Sequence, residues 1–190
     1  MEIQINVSDG KMNKWEVSTF EVTKEDLAIT NIRALLHPGG RTINPGKYKR
    51  LTRNGHLVMS NTQAEIRDLF EFIYKAKQGG NILINGLGLG VALTAILESN
   101  NIKSVTVIEK SVDVIALVEP SFLHDKRVNI IHADAFEWKP PKGIRYSVVW
   151  HDIWDDICSD NLPEMAKLHR KYGRKTDWQG SWCKELCRRQ

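Results

Sequence analysis

Little in this chain of 190 residues is of the kind that staples or anchors a protein. Cysteine is scarce: Cys158, Cys183 and Cys187 all fall in the last third. An odd, late trio argues against a disulfide framework and for a reducing compartment. Joined by His169 these cysteines still lack a Cys-x-x-Cys knuckle, so no metal site is expected. No apolar run approaches a membrane span, and residues 1–10 are too polar for a secretory leader, so a soluble, cytoplasmic protein without a membrane partner is expected. Neither a repeat nor a low-complexity tract interrupts the sequence.

What is present suffices for one main core, since 42% of the residues are hydrophobic. The net charge is +4. It is uneven, with Arg41, Lys47, Lys49, Arg50 and Arg53 in one acid-free cluster and Lys167, Arg170, Lys171, Arg174 and Lys175 in another. Such clusters suit an anionic partner, nucleic acid included. No nucleic-acid module surrounds either, and a solvated basic surface is the favoured reading.

Two parts follow from the patterning. Residues 1–61 read as an extension with alternating strands over 3–7 and 15–22, turning at Asp9-Gly10, a helix capped by Thr23 that runs to about Leu36 and stops at His37-Pro38-Gly39-Gly40, and a hairpin around Asn54-Gly55. Residues 62–190 read as the core. Thr62-Gln-Ala-Glu65 is a capping box opening a helix with Ile66, Leu69, Phe70, Ile73 and Tyr74 on one stripe. Apolar strands over 82–85, 105–109, 128–132 and 146–150 then alternate with helices over 91–98 and 112–118. That alternation predicts an α/β fold, a doubly wound and mostly parallel sheet covered on both faces. A helix from Asp160-Asn-Leu-Pro163 to Gly173 and another over 178–188 are expected to follow, with no further strand. The fourth strand would then leave an edge for a homodimer partner, the C-terminal helices or the N-terminal strands to cover.

The densest chemistry lies where the first core strand meets its helix, in Asn85-Gly-Leu-Gly-Leu-Gly-Val91. A turn so tight needs residues without Cβ, and amides opening a helix attract negative charge. Glu109, 19 residues beyond Gly90, falls where a ribose hydroxyl pair would want an acceptor. The Gly-x-Gly-x-Gly spacing, with the third glycine two positions after the second, resembles the class I S-adenosylmethionine-dependent methyltransferase fold, here shortened at its C-terminus. That resemblance implies S-adenosyl-L-methionine as cofactor, with Gly86, Gly88 and Gly90 under its methionine end, Glu109 on the ribose hydroxyls, and Asp134 with the amide of Ala135 on the adenine edge. A turn-capping Asp134 is the plainer alternative. Within the class, the hairpin over 51–60, the next helix and the glycine strand are similar to the spermidine synthase branch. Val58 and Leu89 depart from that branch's pattern.

Residues just past the fourth strand face the same crevice, and these are His151-Asp-Ile-Trp-Asp-Asp156. Asp152 matches the catalytic aspartate of aminopropyltransferases and is the expected base, with Asp155 expected to bind a cationic or hydroxylated substrate. His151 could serve as base, but period two points it away, and a structural histidine is the simpler reading. The resemblance therefore implies methyl transfer to an unidentified, small-molecule acceptor. Aminopropyl transfer, a non-catalytic S-adenosylmethionine-binding protein and a nicotinamide oxidoreductase are the alternatives. An Asp-Pro-Pro-Tyr-type motif is absent, which lowers nucleic acid as the methyl acceptor.

Overall fold

The computed structural model describes residues 3–26 and 43–190. Two sheets are present. The first is antiparallel, in the order β1 (Gly10–Met12), β2 (Trp15–Val22), β3 (Gly46–Arg53) and β4 (His56–Ser60). The Asn54-Gly55 signal holds, because both residues take positive φ, 51° and 79°, and join β3 to β4. The expected strand over 3–7 and turn at Asp9-Gly10 do not form. Gly10–Met12 is the paired strand, Asn13 makes the turn at φ 50°, and residues 3–7 lie extended with Ile3, Ile5 and Val7 buried. Thr23 and Asp26 exchange capping hydrogen bonds, Asp26 N–H to Thr23 Oγ1 at 3.2 Å and Thr23 N–H to Asp26 Oδ2 at 2.9 Å. The remainder of the helix expected after Thr23 lies outside the described residues.

The second sheet is parallel throughout, in the order β7-β6-β5-β8-β9. Its strands are β5 (Gly80–Asn85), β6 (Ile102–Glu109), β7 (Val128–His132), β8 (Tyr146–His151) and β9 (Thr176–Ser181). This is the Rossmann-like, doubly wound arrangement expected from the alternating pattern. Its strand order reverses between β5 and β8, where a crevice opens at the strands' carboxyl ends. One face carries α1 (Gln63–Asp68), α2 (Phe70–Ala76), α3 (Val91–Leu97) and α4 (Val112–Val118), whose apolar residues share a core with Ile82, Ile84, Val105, Val107 and the N-terminal sheet. The other face packs Leu83, Ile108 and Val149 against α5 (Leu162–Tyr172). Adjacent strand residues thus serve opposite layers, as the period of two requires.

Three expectations are corrected. The helix after Thr62 is two short helices, with Phe72, Ile73 and Ala76 inside while Phe70 and Tyr74 face solvent; Thr62 starts α1 without a side-chain cap, because its hydroxyl accepts from Ser60. The helix expected over 178–188 is instead β9 followed by the four-residue α6 (Lys184–Cys187). Its sequence, Thr-Asp-Trp-Gln-Gly-Ser, lacks a strand's apolar run, and pairing to β8 overrides weak local preference. The sheet therefore has a fifth strand, and β8 is no edge.

Beneath β8 and β9 lies a polar knot. His151 is fully buried, its Nδ1 accepting from Asn85 Nδ2 at 2.8 Å and its Nε2 left to donate to Gln179 Oε1 at 3.4 Å. The His169 ring packs 5.3 Å away, with its Nε2 2.8 Å from Ser181 Oγ. Burial pushes His151 down to about 3 and His169 down to about 4. Both pKa values are depressed, so the unfolded chain binds more protons below the ordinary value of 6.5, and stability falls with pH from there toward 4. Urea unfolding across that window should show a falling midpoint, with a flatter profile in His151→Gln; an equal slope in the variant would remove this histidine from the account.

Candidate functional site

The crevice at the switch point is a cleft of about 680 Å³, within the range of small-molecule sites. Its floor is backbone held in register beyond the strand ends. Gly86 N–H donates to Ile108 O at 2.8 Å, Asp152 N–H to Asn85 O at 2.8 Å, and Ala133 N–H to Glu109 O at 2.9 Å. Gly86, Gly88 and Gly90 have φ of 100°, 51° and 74°, a region that residues with side chains rarely adopt. Protein atoms fill the space each omitted Cβ would take. Gly86 lies against the Asp152 carbonyl, Gly88 against Met59 Sδ, and Gly90 against the Phe122 ring, 2.6 Å from the Cβ position. Gly86 and Gly88 line the cleft; Gly90 turns the chain into α3, packed away from it.

Glu109, ending β6, sits on this floor. Its Oε2 accepts from Leu87 N–H at 2.9 Å and its Oε1 from Ser111 N–H at 2.7 Å. A carboxylate has about four lone-pair directions, so both oxygens keep acceptor capacity toward the cleft. Asp134, past β7, does cap its turn, accepting from Phe136 N–H at 2.8 Å, and it also pairs with Lys110 Nζ at 2.8 Å. The Lys110 hydrogen bond holds its carboxyl below the usual range. Ala135 is buried beside it in the wall, its carbonyl taking Lys171 Nζ at 2.8 Å and Tyr172 Oη at 3.2 Å.

Asp152 and Asp155 share the opposite lip. Burial pushes the Asp152 carboxyl up to about 7; the Trp150 indole opposes this and the charge of Asp68 adds to it. A carboxyl near 7 is half ionised at neutral pH, as a proton acceptor requires. Asp155 is engaged by the Arg53 guanidinium, whose carbon lies 5.3 Å from the Trp15 ring centre. Trp154 Nε1–H donates to Glu164 Oε2 at 2.8 Å. His151 lies outside the cleft.

The N-terminal sheet builds a wall of this cleft, a placement that strand periodicity does not encode. Lys14, Trp15, Arg53 and Met59 all line it, and Asn13 Nδ2–H donates to Asp113 Oδ1 at 2.8 Å, tying the β1–β2 turn to the start of α4. Met59 also accepts from Leu89 N–H at 3.1 Å. Arg53 was legible only as part of a basic cluster; a lone methionine carries no signal at all. Among the described residues no group of His, Cys, Asp and Glu could hold a metal ion, and no helix is long and apolar enough to cross a membrane.

No family model matches the chain. It is 28% identical over 134 residues, 65% of its length, to polyamine aminopropyltransferase 1 of Streptomyces coelicolor, of which it spans 24%. The solved structures similar to it include the N-methyltransferase NodS of Bradyrhizobium japonicum, at 14% identity and TM-score 0.49, covering 65% of this chain and 71% of that one. The plantazolicin methyltransferase BpumL in complex with SAH is similar at 16% identity and TM-score 0.44, over 60% of this chain and 42% of that one.

The tightest constraint in the cleft is Gly86. A methyl group there meets the Asp152 carbonyl at a φ that resists it, so Gly86→Ala should lower stability by about 2 kcal/mol or more in urea unfolding. An unchanged midpoint would mean that the loop after β8 is not seated as described.

Proposed function

We propose that the cleft binds S-adenosyl-L-methionine and that the protein transfers its methyl group to an acceptor seated between Asp152 and Trp154. The observation that carries this reading is the placement of Glu109, which ends β6, and Asp134, in the loop just past the adjacent β7, both lining one cleft over a glycine turn. In this reading Glu109 takes the ribose hydroxyls on its remaining lone pairs. Asp134 takes the adenine amino group in exchange for Lys110, with the Ala135 amide beside it. Gly86 and Gly88 let the methionine end lie close to bare backbone, and Gly90 serves by setting the turn.

The bound cofactor would supply a methyl group on a sulfonium, an electrophile needing no further activation. The protein's own work is then to align the acceptor and to remove its proton. Asp152 is the base, raised to about 7 by burial. Asp155, neutralised by Arg53 in the free cleft, would bind a cationic or hydroxylated acceptor only if that pair opened. A small-molecule acceptor fits the cleft volume.

A second reading has its own support, the partial likeness to an aminopropyltransferase. There the donor would be decarboxylated S-adenosylmethionine, the same base would serve an attacking amine, and the leaving product would be methylthioadenosine in place of S-adenosylhomocysteine.

Calorimetric titration should show S-adenosylmethionine binding to the chain, weakened about tenfold or more in Glu109→Gln, since a hydrogen bond to a charged acceptor contributes roughly 1.5–3 kcal/mol. Absence of binding would overturn the proposal. Against a panel of amine and hydroxyl acceptors, released S-adenosylhomocysteine should rise with pH through about 7 as Asp152 ionises, and Asp152→Asn should lose about a hundredfold or more of the rate with cofactor affinity kept.

A further inference from the structure

The two basic clusters of the sequence have different fates in the fold. In the first, Lys49 pairs with Asp9 at 2.5 Å, Arg50 Nε–H donates to Ser18 Oγ at 3.0 Å, and Arg53 is taken by Asp155; Arg41 lies outside the described residues. Lys49 and Arg50 bind within the N-terminal part, Arg53 ties that part to the loop after β8, and Lys47 is exposed. The second cluster is not used in this way. Among the described residues Lys167, Arg170, Arg174 and Lys175 form no ion pair, and all four are exposed.

Their spacing explains the exposure. Positions 167, 170 and 171 recur at three and four residues, which puts them on one side of α5, opposite the buried Met165, Leu168 and Tyr172, and Arg174 and Lys175 follow in the turn after the helix. No acid occurs between Met165 and Thr176. A second exposed segment lies beside it: burial, and then the neighbouring Lys175, Lys167 and Lys139, disfavour the charge on Lys171, and Lys142 follows Lys139 by three residues in the loop before β8. Cations near a helix C-terminus are favoured by its dipole, which accounts for Arg170 and Lys171 but not for lysines brought in from another loop. The face also meets the cleft. Lys171 Nζ donates to Ala135 O, and Lys167 Nζ lies 4.9 Å from the centre of the Phe136 ring; Ala135 and Phe136 are both cleft wall.

We propose that this face of α5, with Lys139 and Lys142, is a docking surface for the phosphate backbone of a nucleic acid, laid along the rim of the cleft. Unpaired cations spread over an amphipathic helix and a neighbouring loop match a line of phosphates, each contact releasing a counterion. An anionic membrane fits less well. Interfacial helices bury an apolar side in the lipid, whereas the apolar side of α5 is spent in the core and none of the exposed large apolar side chains lies on this helix. The surface reads charge without bases, so binding is expected to be tolerant of sequence. This inference stands apart from the transfer reading, because it concerns the protein without cofactor.

The test is fluorescence anisotropy with a labelled, mixed-sequence single-stranded RNA, no cofactor added. The expected result is binding whose logarithm falls against the logarithm of salt with a slope of about −3, as four phosphate contacts on a single strand would give. The variant Arg170→Gln, Arg174→Gln, Lys175→Gln should weaken it about tenfold or more, and Lys139→Gln, Lys142→Gln should do so to a lesser degree. Urea unfolding of both variants checks that they fold as the parent does. Retained affinity and slope in both folded variants would overturn the proposal. So would an absence of RNA binding, including the case in which the protein sediments with phosphatidylserine-containing vesicles instead.

Discussion

The site rests on the continuation of hydrogen bonding one residue past the ends of the strands. Asp152 N–H reaches Asn85 O, Gly86 N–H reaches Ile108 O, and Trp182 N–H reaches His151 O, so the loops above the sheet inherit its register before any side chain acts. That pairing presses the Asp152 carbonyl onto the Cα of Gly86, which only a residue lacking Cβ allows. The same backbone bond fixes where the Asp152 carboxyl stands, next to the Trp150 indole and within the field of Asp68. A glycine that sequence inspection assigns to ligand approach is thus equally required by protein packing. In this fold the two demands coincide, because the carbonyl stacked on Gly86 belongs to the residue proposed as base.

The Rossmann-like sheet was legible because its signals are local and strong. β7 and α4 fall at the expected residues, and β5, β6 and β8 extend theirs by a few, since buried parallel strands read as apolar runs of β-branched residues. β9 was not legible. Only Trp178 in Thr176–Ser181 is a large apolar residue; what makes it a strand is the unfilled edge of β8 and the stacking of Trp178 on Trp150, rings 6.4 Å apart. The misplaced N-terminal strand has a similar cause. Ile3, Ile5 and Val7 alternate as a strand would and are buried as one would be, yet Asn61 Nδ2 and Ser121 Oγ, side chains and not a neighbouring strand, meet the carbonyls of Ile3 and Asn6.

Candidate residues followed the same division. Gly86, Gly88, Glu109, Asp134, Ala135, Asp152 and Asp155 all line one cleft, because each ends a strand of one parallel sheet or begins the loop after it, and the rule that ligands sit at those ends needs only strand order. Arg53, Met59 and Trp15 come from a separate sheet whose docking depends on long-range packing of Val17 and Leu51 into the shared core. No periodicity encodes that. Charge bookkeeping faces the same limit: two clusters alike in composition differ in the fold, one with Lys49, Arg50 and Arg53 engaged by Asp9, Ser18 and Asp155, the other with Lys167, Arg170, Arg174 and Lys175 facing water on α5 and the turn after it.

The participation of Trp15 and Trp182 in a single wall bears on how the molecule must be assembled. Both ends of the described chain are needed to enclose the cleft, and its central strand β5 finds one neighbour, β8, more than sixty residues downstream. Contacts so distant along the chain carry a large loop-closure cost and slow folding. As the polypeptide emerges during synthesis, β5, β6 and β7 can stack first, while the lip bearing Asp152 has no seat until β8 inserts and β9 seals it. The whole cleft is therefore a product of completed folding: the side bearing Gly86, Glu109 and Asp134 belongs to β5, β6 and β7, and the facing lip to the segment that follows β8.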